Sequence, residues 1–526
     1  MNNVAFTAPH HGAADIGLSV LRDGGSVVDA TIAAAAAIAV LYPHMNSLGG
    51  DGFWLIQRPG EEPRAIDACG DAAALATPEW YRERGYEEIP SRGALSALTM
   101  GGTIAGWQKA RSMVSESDRL LPYRELLAPA AALARDGVEV TASLESASRK
   151  VWPVLCEDAN YRSVFAPDDG PLEQGQVLRN SDLAQTLEQL GRSGVEDFYQ
   201  GDLALILANE LERRGSPIRR EDLARYQANE VTPLSMRTRF GCHYNFPPPT
   251  QGVASLLILG IYDRLYQTGW SEADRVHAVV EATKQAFRVR DREITDPRLM
   301  NVEAQALLSD SRIDDLAALI SQDAAPWPWE AEAGDTVWMG GVDRDGTMVS
   351  FIQSIYWEFG SGVVIPGTGL VWNNRGVSFS LDPDHRNTLV PGHKPFHTLN
   401  PALAVLDDGR RMSYGTMGGE GQPQTQAALA TRYLYDGLSL TDAIEQGRWL
   451  LGRTWGDRDD DLKLEADLAQ RIGDSLRARG HDFKSVPMHS EMMGHAGAVV
   501  QHPDGCVSSA TDPRSDGGAR EASCWN

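Results

Sequence analysis

A mixed α+β fold is what the sequence predicts, and three observations carry it. The first is a β-hairpin: an apolar strand from Thr336 to Val342, the turn Asp343-Arg344-Asp345-Gly346, and a second strand from Thr347 to Tyr356, with Asp-Gly at the tip. The second is a long, mostly helical region from Arg111 to Arg290. Its apolar residues recur at spacings of three and four in Tyr123 to Arg135, Ser181 to Leu190 and Gly201 to Arg213. The third is size: 526 residues, 42% of them hydrophobic, supply an ample core for one large α/β unit or for two to three domains.

Taken in order, His11 to Asp23 and Val27 to Leu41 read as two helices joined at Gly24-Gly25, the second favoured by Asp29 ahead of an Ala-rich run. Phe53 to Gln57 and Arg64 to Asp67 read as strands. The stretch Asn245-Phe246-Pro247-Pro248-Pro249-Thr250-Gln251-Gly252 is a proline-stiffened loop before a helix from Val253 to Tyr266. Ala324 to Gly334, rich in Pro, Ala and acidic residues, is expected to be exposed and flexible. Beyond the hairpin come Pro395 to Leu406, Tyr414 to Gln426 and a helix from Ala427 to Tyr435.

A net charge of -24 argues against nucleic acid or an anionic membrane as partner, because both are held by Lys and Arg. Cys69, Cys156, Cys242, Cys506 and Cys524 are an odd number without Cys-x-x-Cys spacing, so neither a disulfide framework nor a zinc knuckle is expected. His489 to His495 lacks the spacing of a helical zinc site, and Asp343 to Gly346 lacks the later glutamate of a calcium loop. No metal and no organic cofactor are expected. His10-His11 read as an exposed pair at a helix start. The opening MNNVAFTAPHHGAADIG has no basic segment followed by an apolar one, and the longest apolar run, Thr31 to Tyr42, is too short to span a bilayer. The expected location is the cytoplasm.

Thr336 begins the hairpin abruptly behind Gly334-Asp335. A hydroxyl residue at the start of a buried strand becomes a new N-terminus if the Asp335–Thr336 bond is cut. An N-terminal threonine then supplies nucleophile and base together, since the reference pKa of an α-amine, about 7.7–8.0, suits proton transfer at neutral pH.

These residues resemble the γ-glutamyltranspeptidase family of N-terminal nucleophile hydrolases. The family's catalytic segment reads Thr-Thr-His-x-Ser-Val-Val-Asp, then x-Asp-Gly, then a strand ending in Phe-Gly-Ser-Gly. Thr336, Val342-Asp343, Asp345-Gly346 and Phe359-Gly360-Ser361-Gly362 fall in register with it. Gly24-Gly25 with Asp29-Ala30, Leu48 to Phe53, Leu98 to Trp107 and Pro247-Pro248-Pro249 before Gly252 extend the resemblance over nearly the whole chain. It implies a four-layer αββα sandwich, two packed antiparallel sheets between helical layers. It also implies attack of Thr336 Oγ on the Asp335 carbonyl, giving a large subunit, 1–335, and a small one, 336–526, which could pair further as a dimer. By the same register a Ser354 hydroxyl lies beside the nucleophile, and Gly418-Gly419 offer paired backbone N–H groups to an oxyanion.

The departures from the family pattern concern the substrate. The arginine that holds the α-carboxylate in the transpeptidases is Cys69 here, their α-amine ligands are Tyr356 and Ser378, and their Ser-Ser pair is His397-Thr398. A pocket without those groups cannot repay the desolvation of a zwitterionic amino acid. Arg375, in Asn373-Asn374-Arg375-Gly376, enters instead, and a guanidinium there could hold a carboxylate through paired hydrogen bonds. Bulky Tyr356 and Trp357 shrink the site toward a small acid bearing an amide, with Asn374, His397 and Thr398 as further candidate binding residues. The motifs are similar to the oxamate amidohydrolase branch of the family, which implies oxamate hydrolysis to oxalate and ammonia. Two readings compete: a γ-glutamyl hydrolase or transpeptidase with a rebuilt pocket acting on glutathione-like amides, and a non-catalytic scaffold of the same fold.

Overall fold

The computed structural model describes residues 2–114, 120–327, 335–452 and 461–524. The predicted hairpin lies at its centre. Strands Asp335–Val342 and Met348–Tyr356 pair antiparallel. Asn2–Ala8 and Gly518–Cys524 extend the sheet on one side, and Asp51–Gln57, Arg64–Ala68 and Asn229–Val231 extend it on the other, to seven strands. A second sheet of six runs in the order Val507–Thr511, Gly497–Gln501, Arg411–Gly415, Ala402–Leu406, Gly241–Asn245, Leu234–Thr238.

Side-chain alternation shows how these sheets are layered, because successive residues of a strand point to opposite faces. Phe53 and Leu55 join Trp338, Ile352, Leu403 and Val499 in a cluster between the two sheets. Their neighbours Trp54 and Ile56 point the other way, into a core shared with the helices His11–Arg22, Val27–Leu41 and Tyr123–Asp136. Ala402 and Ala404 mirror this on the second sheet, packing on Gly252–Leu265, Glu272–Glu293 and Gly421–Leu434. The result is the four-layer αββα sandwich. Strands buried on both faces lose the polar alternation of a surface strand, which is why Asp51–Gln57 is buried at every position.

Two details fix the hairpin in place. Asp343 accepts from the N–H groups of Asp345 and Thr347 at 3.2 and 2.9 Å, and from Val27 N–H at 3.1 Å, so one carboxylate shapes the turn and anchors the buried Ala-rich helix. Trp338 lies in a slot made by glycines: a Cβ built on Gly415 would stand 2.2 Å from its ring, and one on Gly497 2.5 Å. Only residues without a side chain admit an indole between the sheets there.

The structure corrects the sequence reading in several places. The region from Arg111 to Arg290 is not uniformly helical, because Leu234–Thr238 and Gly241–Asn245 belong to the second sheet. These five-residue strands are too short to establish a period, and the first alternates between buried and more open positions at the sheet edge. The helix expected from Ala427 begins earlier, spanning Gly421–Leu434. Its Pro423 sits in the first turn, where the missing N–H has no partner to lose. His10 is buried and caps the first helix by accepting from Gly12 N–H at 3.1 Å, while His11 is exposed. The stretch expected to be flexible is tethered at its start: Ala324 N–H donates to Arg479 O at 2.8 Å, and Ala325 N–H to Glu281 Oε2 at 3.0 Å. Residues 328–334 of that stretch lie outside the described residues. Cys69, Cys156, Cys242 and Cys506 are free thiols, and among the described residues no helix is long and apolar enough to cross a membrane.

Candidate active site

Thr336 is fully buried, second in its strand. The ladder to the neighbouring strand pairs Gln353 with Val337 and then Tyr356 with Asp335, so Ser354 and Ile355 together oppose Thr336. This is a β-bulge, a device that redirects side chains. It places Ser354, also fully buried, beside Thr336, and the Ser354 hydroxyl accepts from Tyr356 N–H at 2.8 Å. Tyr356 itself takes φ +83°, a left-handed conformation that costs energy for a bulky residue and that clusters at functional sites.

The strained Tyr356 carries Arg375. The guanidinium carbon lies 3.9 Å from the Tyr356 ring centroid, in cation–π geometry, and Arg375 is fully buried. Tyr356 is paired to Asp335, so this cation stands one strand away from the Asp335–Thr336 bond. Asn373 supports it, its Oδ1 accepting from Arg375 N–H at 3.0 Å and from the Thr99 hydroxyl at 2.8 Å. Asn374 spans two backbone groups, accepting from Trp357 N–H at 3.2 Å and donating to Ser91 O at 3.0 Å.

Gly418 and Gly419 take φ of +115° and +51°, a turn that leads into the helix Gly421–Leu434. Gln422, in that helix's first turn, donates toward Thr336 Oγ1 at 3.5 Å. The positive end of the helix dipole therefore faces Thr336, where a negative charge would develop on an attacked carbonyl.

The proline-rich loop, to which the sequence assigned no task, braces both flanking segments. Gln251 Nε2 donates to Thr398 O and to Gly419 O, each at 2.7 Å, and its Oε1 accepts from Arg290 Nη1 at 2.9 Å. Arg290 also donates to Glu420 Oε1 at 2.8 Å. One amide thus ties the His397-Thr398 segment to the Gly418-Gly419 turn. Replacing Gln251 by Ala strands two carbonyls and one N–H of the Arg290 guanidinium, a cost on the order of 2–4 kcal/mol. A lowered urea midpoint is expected for Gln251→Ala, and an unchanged one would show that the turn is held by other means.

Asp51 was not singled out by the sequence as a site residue. It pairs with Ser354 across the sheet, and its buried carboxylate accepts from Gly70 N–H at 2.9 Å. Asp51 Oδ2 lies 3.0 Å from His397 Nε2 and 3.7 Å from Arg375 Nε. Burial pushes the Asp51 carboxyl up to about 6, against the opposing pull of Arg375, Gly70 N–H and Lys394. Burial, then Arg375, hold His397 well below the ordinary histidine range, so its imidazole is neutral. Cys69 is buried and its thiol is pushed up, chiefly by desolvation, which makes it a poor nucleophile. Asp51, Cys69 and His397 bring three metal-ligand atoms within 4.8 Å of one another. The Arg375 guanidinium beside Asp51 and the Lys394 ammonium, 2.6 Å from Asp67, already supply positive charge there, so the donor set suits an anion better than a cation.

The gamma-glutamyltranspeptidase family model matches residues 13–522. An oxamate amidohydrolase proenzyme of Klebsiella pneumoniae subsp. pneumoniae is 50% identical over 514 residues, covering 97% of each chain. The glutathione hydrolase-like YwrD proenzyme of Bacillus subtilis is 34% identical over 515 residues, again covering 97% of each. Among solved structures, a cephalosporin acylase from Bacillus halodurans superimposes with a TM-score of 0.90 at 31% identity, covering 100% of this chain and 96% of that one. Relatives that act on amides, matched end to end on one fold, settle the class: the chain belongs to the gamma-glutamyltranspeptidase family and is a hydrolase acting on amides.

Proposed function

We propose that the chain cleaves itself between Asp335 and Thr336, and that the exposed threonine then hydrolyses oxamate to oxalate and ammonia. The observation that carries this reading is Arg375, a buried guanidinium held over Tyr356, whose strand pairs with Asp335. A site of this kind favours a small substrate whose carboxylate lies next to its amide carbonyl. The name of the Klebsiella relative, an oxamate amidohydrolase proenzyme, supports both the substrate and the processing.

In maturation, Thr336 Oγ attacks the Asp335 carbonyl, the peptide nitrogen leaves as the α-amine, and water hydrolyses the resulting ester. Residues 1–335 and 336–526 then remain as two subunits of one fold. In turnover the α-amine takes the Thr336 hydroxyl proton as Oγ attacks the oxamate amide carbonyl. Gly418 and Gly419 N–H groups stabilise the oxyanion, Ser354 orients the nucleophile, and Arg375 holds the carboxylate. The amine returns the proton to the departing nitrogen, ammonia leaves, and water releases oxalate from the ester.

The test measures ammonia release from oxamate alongside hydrolysis of a γ-glutamyl anilide, with the intact mass of the same preparation. Two fragments divided at Thr336 and turnover of oxamate are expected. Strong turnover of the anilide with none of oxamate would replace the small-acid reading by the γ-glutamyl one. An uncleaved chain inactive on both would favour a non-catalytic scaffold.

A further inference from the structure

We propose that Asp51 is a positioning residue of the oxamate site, its buried carboxylate setting the orientation of the Arg375 guanidinium and of the His397 imidazole toward an anionic amide. This rests on the function proposed above and adds a specificity device to it.

A carboxylate buried to this degree is costly unless several groups compensate it. Asp51 is compensated from three directions: Gly70 N–H at 2.9 Å, His397 Nε2 at 3.0 Å and Arg375 Nε at 3.7 Å. A carboxylate only accepts, so the His397 nitrogen that faces it carries the proton. His397 Nδ1 is then a lone-pair acceptor, and among the described residues it is buried without a hydrogen-bond partner. An unpaired buried acceptor is costly, and the N–H of a primary amide would satisfy it. Asp51 therefore links two kinds of selection: Arg375 for the carboxylate, and His397 Nδ1 for an unsubstituted –NH2.

The charged and titratable groups that act on Asp51 are Arg375, His397, Cys69 and Lys394, with Asp67 next to Cys69 and the phenols of Tyr199 and Tyr226 further out. As the Asp51 carboxyl titrates near 6, its charge is present above that pH and offsets Arg375, and below it the guanidinium acts on a substrate anion without that offset. Anion binding should therefore tighten as pH falls, by at least roughly tenfold for removal of one charge within about 10 Å at an effective dielectric near 20.

The experiment follows KM and kcat for oxamate and for a neutral small amide from about pH 7.5 to 5.5, in wild type and in Asp51→Asn. In wild type the KM for oxamate should fall by at least roughly tenfold with pH while that for the neutral amide stays level. In Asp51→Asn the oxamate KM should be low and flat with pH, and kcat should drop because the guanidinium is less firmly oriented. A variant whose KM follows the wild-type pH profile, whatever its stability, overturns the proposal. Should Asp51→Asn fail to fold, oxalate binding to wild type by calorimetry across the same pH range decides the matter. Tightening at low pH supports the role, and pH-independent binding overturns it. Absence of ammonia release from oxamate in wild type would instead remove the substrate assignment, and the oxalate titration would still report on Asp51.

Discussion

Thr336→Ala is expected to give a single uncleaved chain of the full 57.3 kDa with no amidase activity. The reason is chemical: under the proposed mechanism the methyl side chain removes the hydroxyl that attacks the Asp335 carbonyl, and with it the nucleophile for substrate. The fold should persist, because the flanking Asp335 and Val337 are paired in a central strand and the Thr336 side chain contributes little apolar area. Circular dichroism and a denaturant midpoint close to wild type would establish that, separating lost chemistry from lost structure. Thr336→Ser should still mature, more slowly, since the hydroxyl stays while the methyl that restricts χ1 is gone. Two fragments from Thr336→Ala, divided at the same bond, would assign maturation to another nucleophile. Incubation at several protein concentrations distinguishes intramolecular cleavage, whose half-time does not depend on concentration, from cleavage between molecules.

The hairpin and the Val27–Leu41 helix were legible in the sequence because each is contiguous. The hairpin's Asp-Gly tip and its apolar strands are neighbours in the chain. The helix carries its start signal in Ser26, whose hydroxyl accepts from Asp29 N–H at 3.1 Å. The αββα layering came with the family resemblance, since no local pattern tells a strand which of two sheets it will join. Leu234–Thr238 and Gly241–Asn245 escaped for that reason, being short and dependent on pairing with Ala402–Leu406 far along the chain. The site divides in the same way. Thr336, Ser354 and Gly418-Gly419 lie in stretches whose residue types announce chemistry. Asp51 meets His397 across 346 residues, and Gln251 meets Thr398 and Gly419 across 147 and 168. Their tasks arise only when the two sheets close, so a motif such as Pro-Pro-Pro-Thr-Gln-Gly shows a stiff loop but not the amide that braces the turn.

Arg375→Ala is expected to lower kcat/KM for oxamate by roughly 30-fold to several-thousand-fold while leaving maturation intact. The lower figure corresponds to about 2 kcal/mol and the upper to about 5 kcal/mol, the range for losing one partner of a desolvated, hydrogen-bonded charge pair. The upper part of the range is favoured by geometry, because Arg375 is fully buried with its guanidinium carbon 3.9 Å from the Tyr356 ring centroid, so its charge meets little solvent screening. The substitution also leaves Asp51 with less positive charge beside it, which raises the cost of burying that carboxylate as an anion. Some loss of stability at neutral pH should therefore accompany the kinetic effect and ease as pH falls and Asp51 takes up a proton. Maturation is spared because cleavage of the Asp335–Thr336 bond involves no substrate carboxylate. Arg375→Lys should recover only part of the rate, since an ammonium cannot reproduce the planar fork and stacks less well on the ring. The deciding comparison is oxamate against a neutral small amide, in wild type and in Arg375→Ala. A loss confined to the anionic substrate supports the carboxylate role. An equal fall for both, or a chain that no longer cleaves, would make Arg375 a structural cation, and the oxamate assignment would have to be withdrawn while Thr336 kept its part.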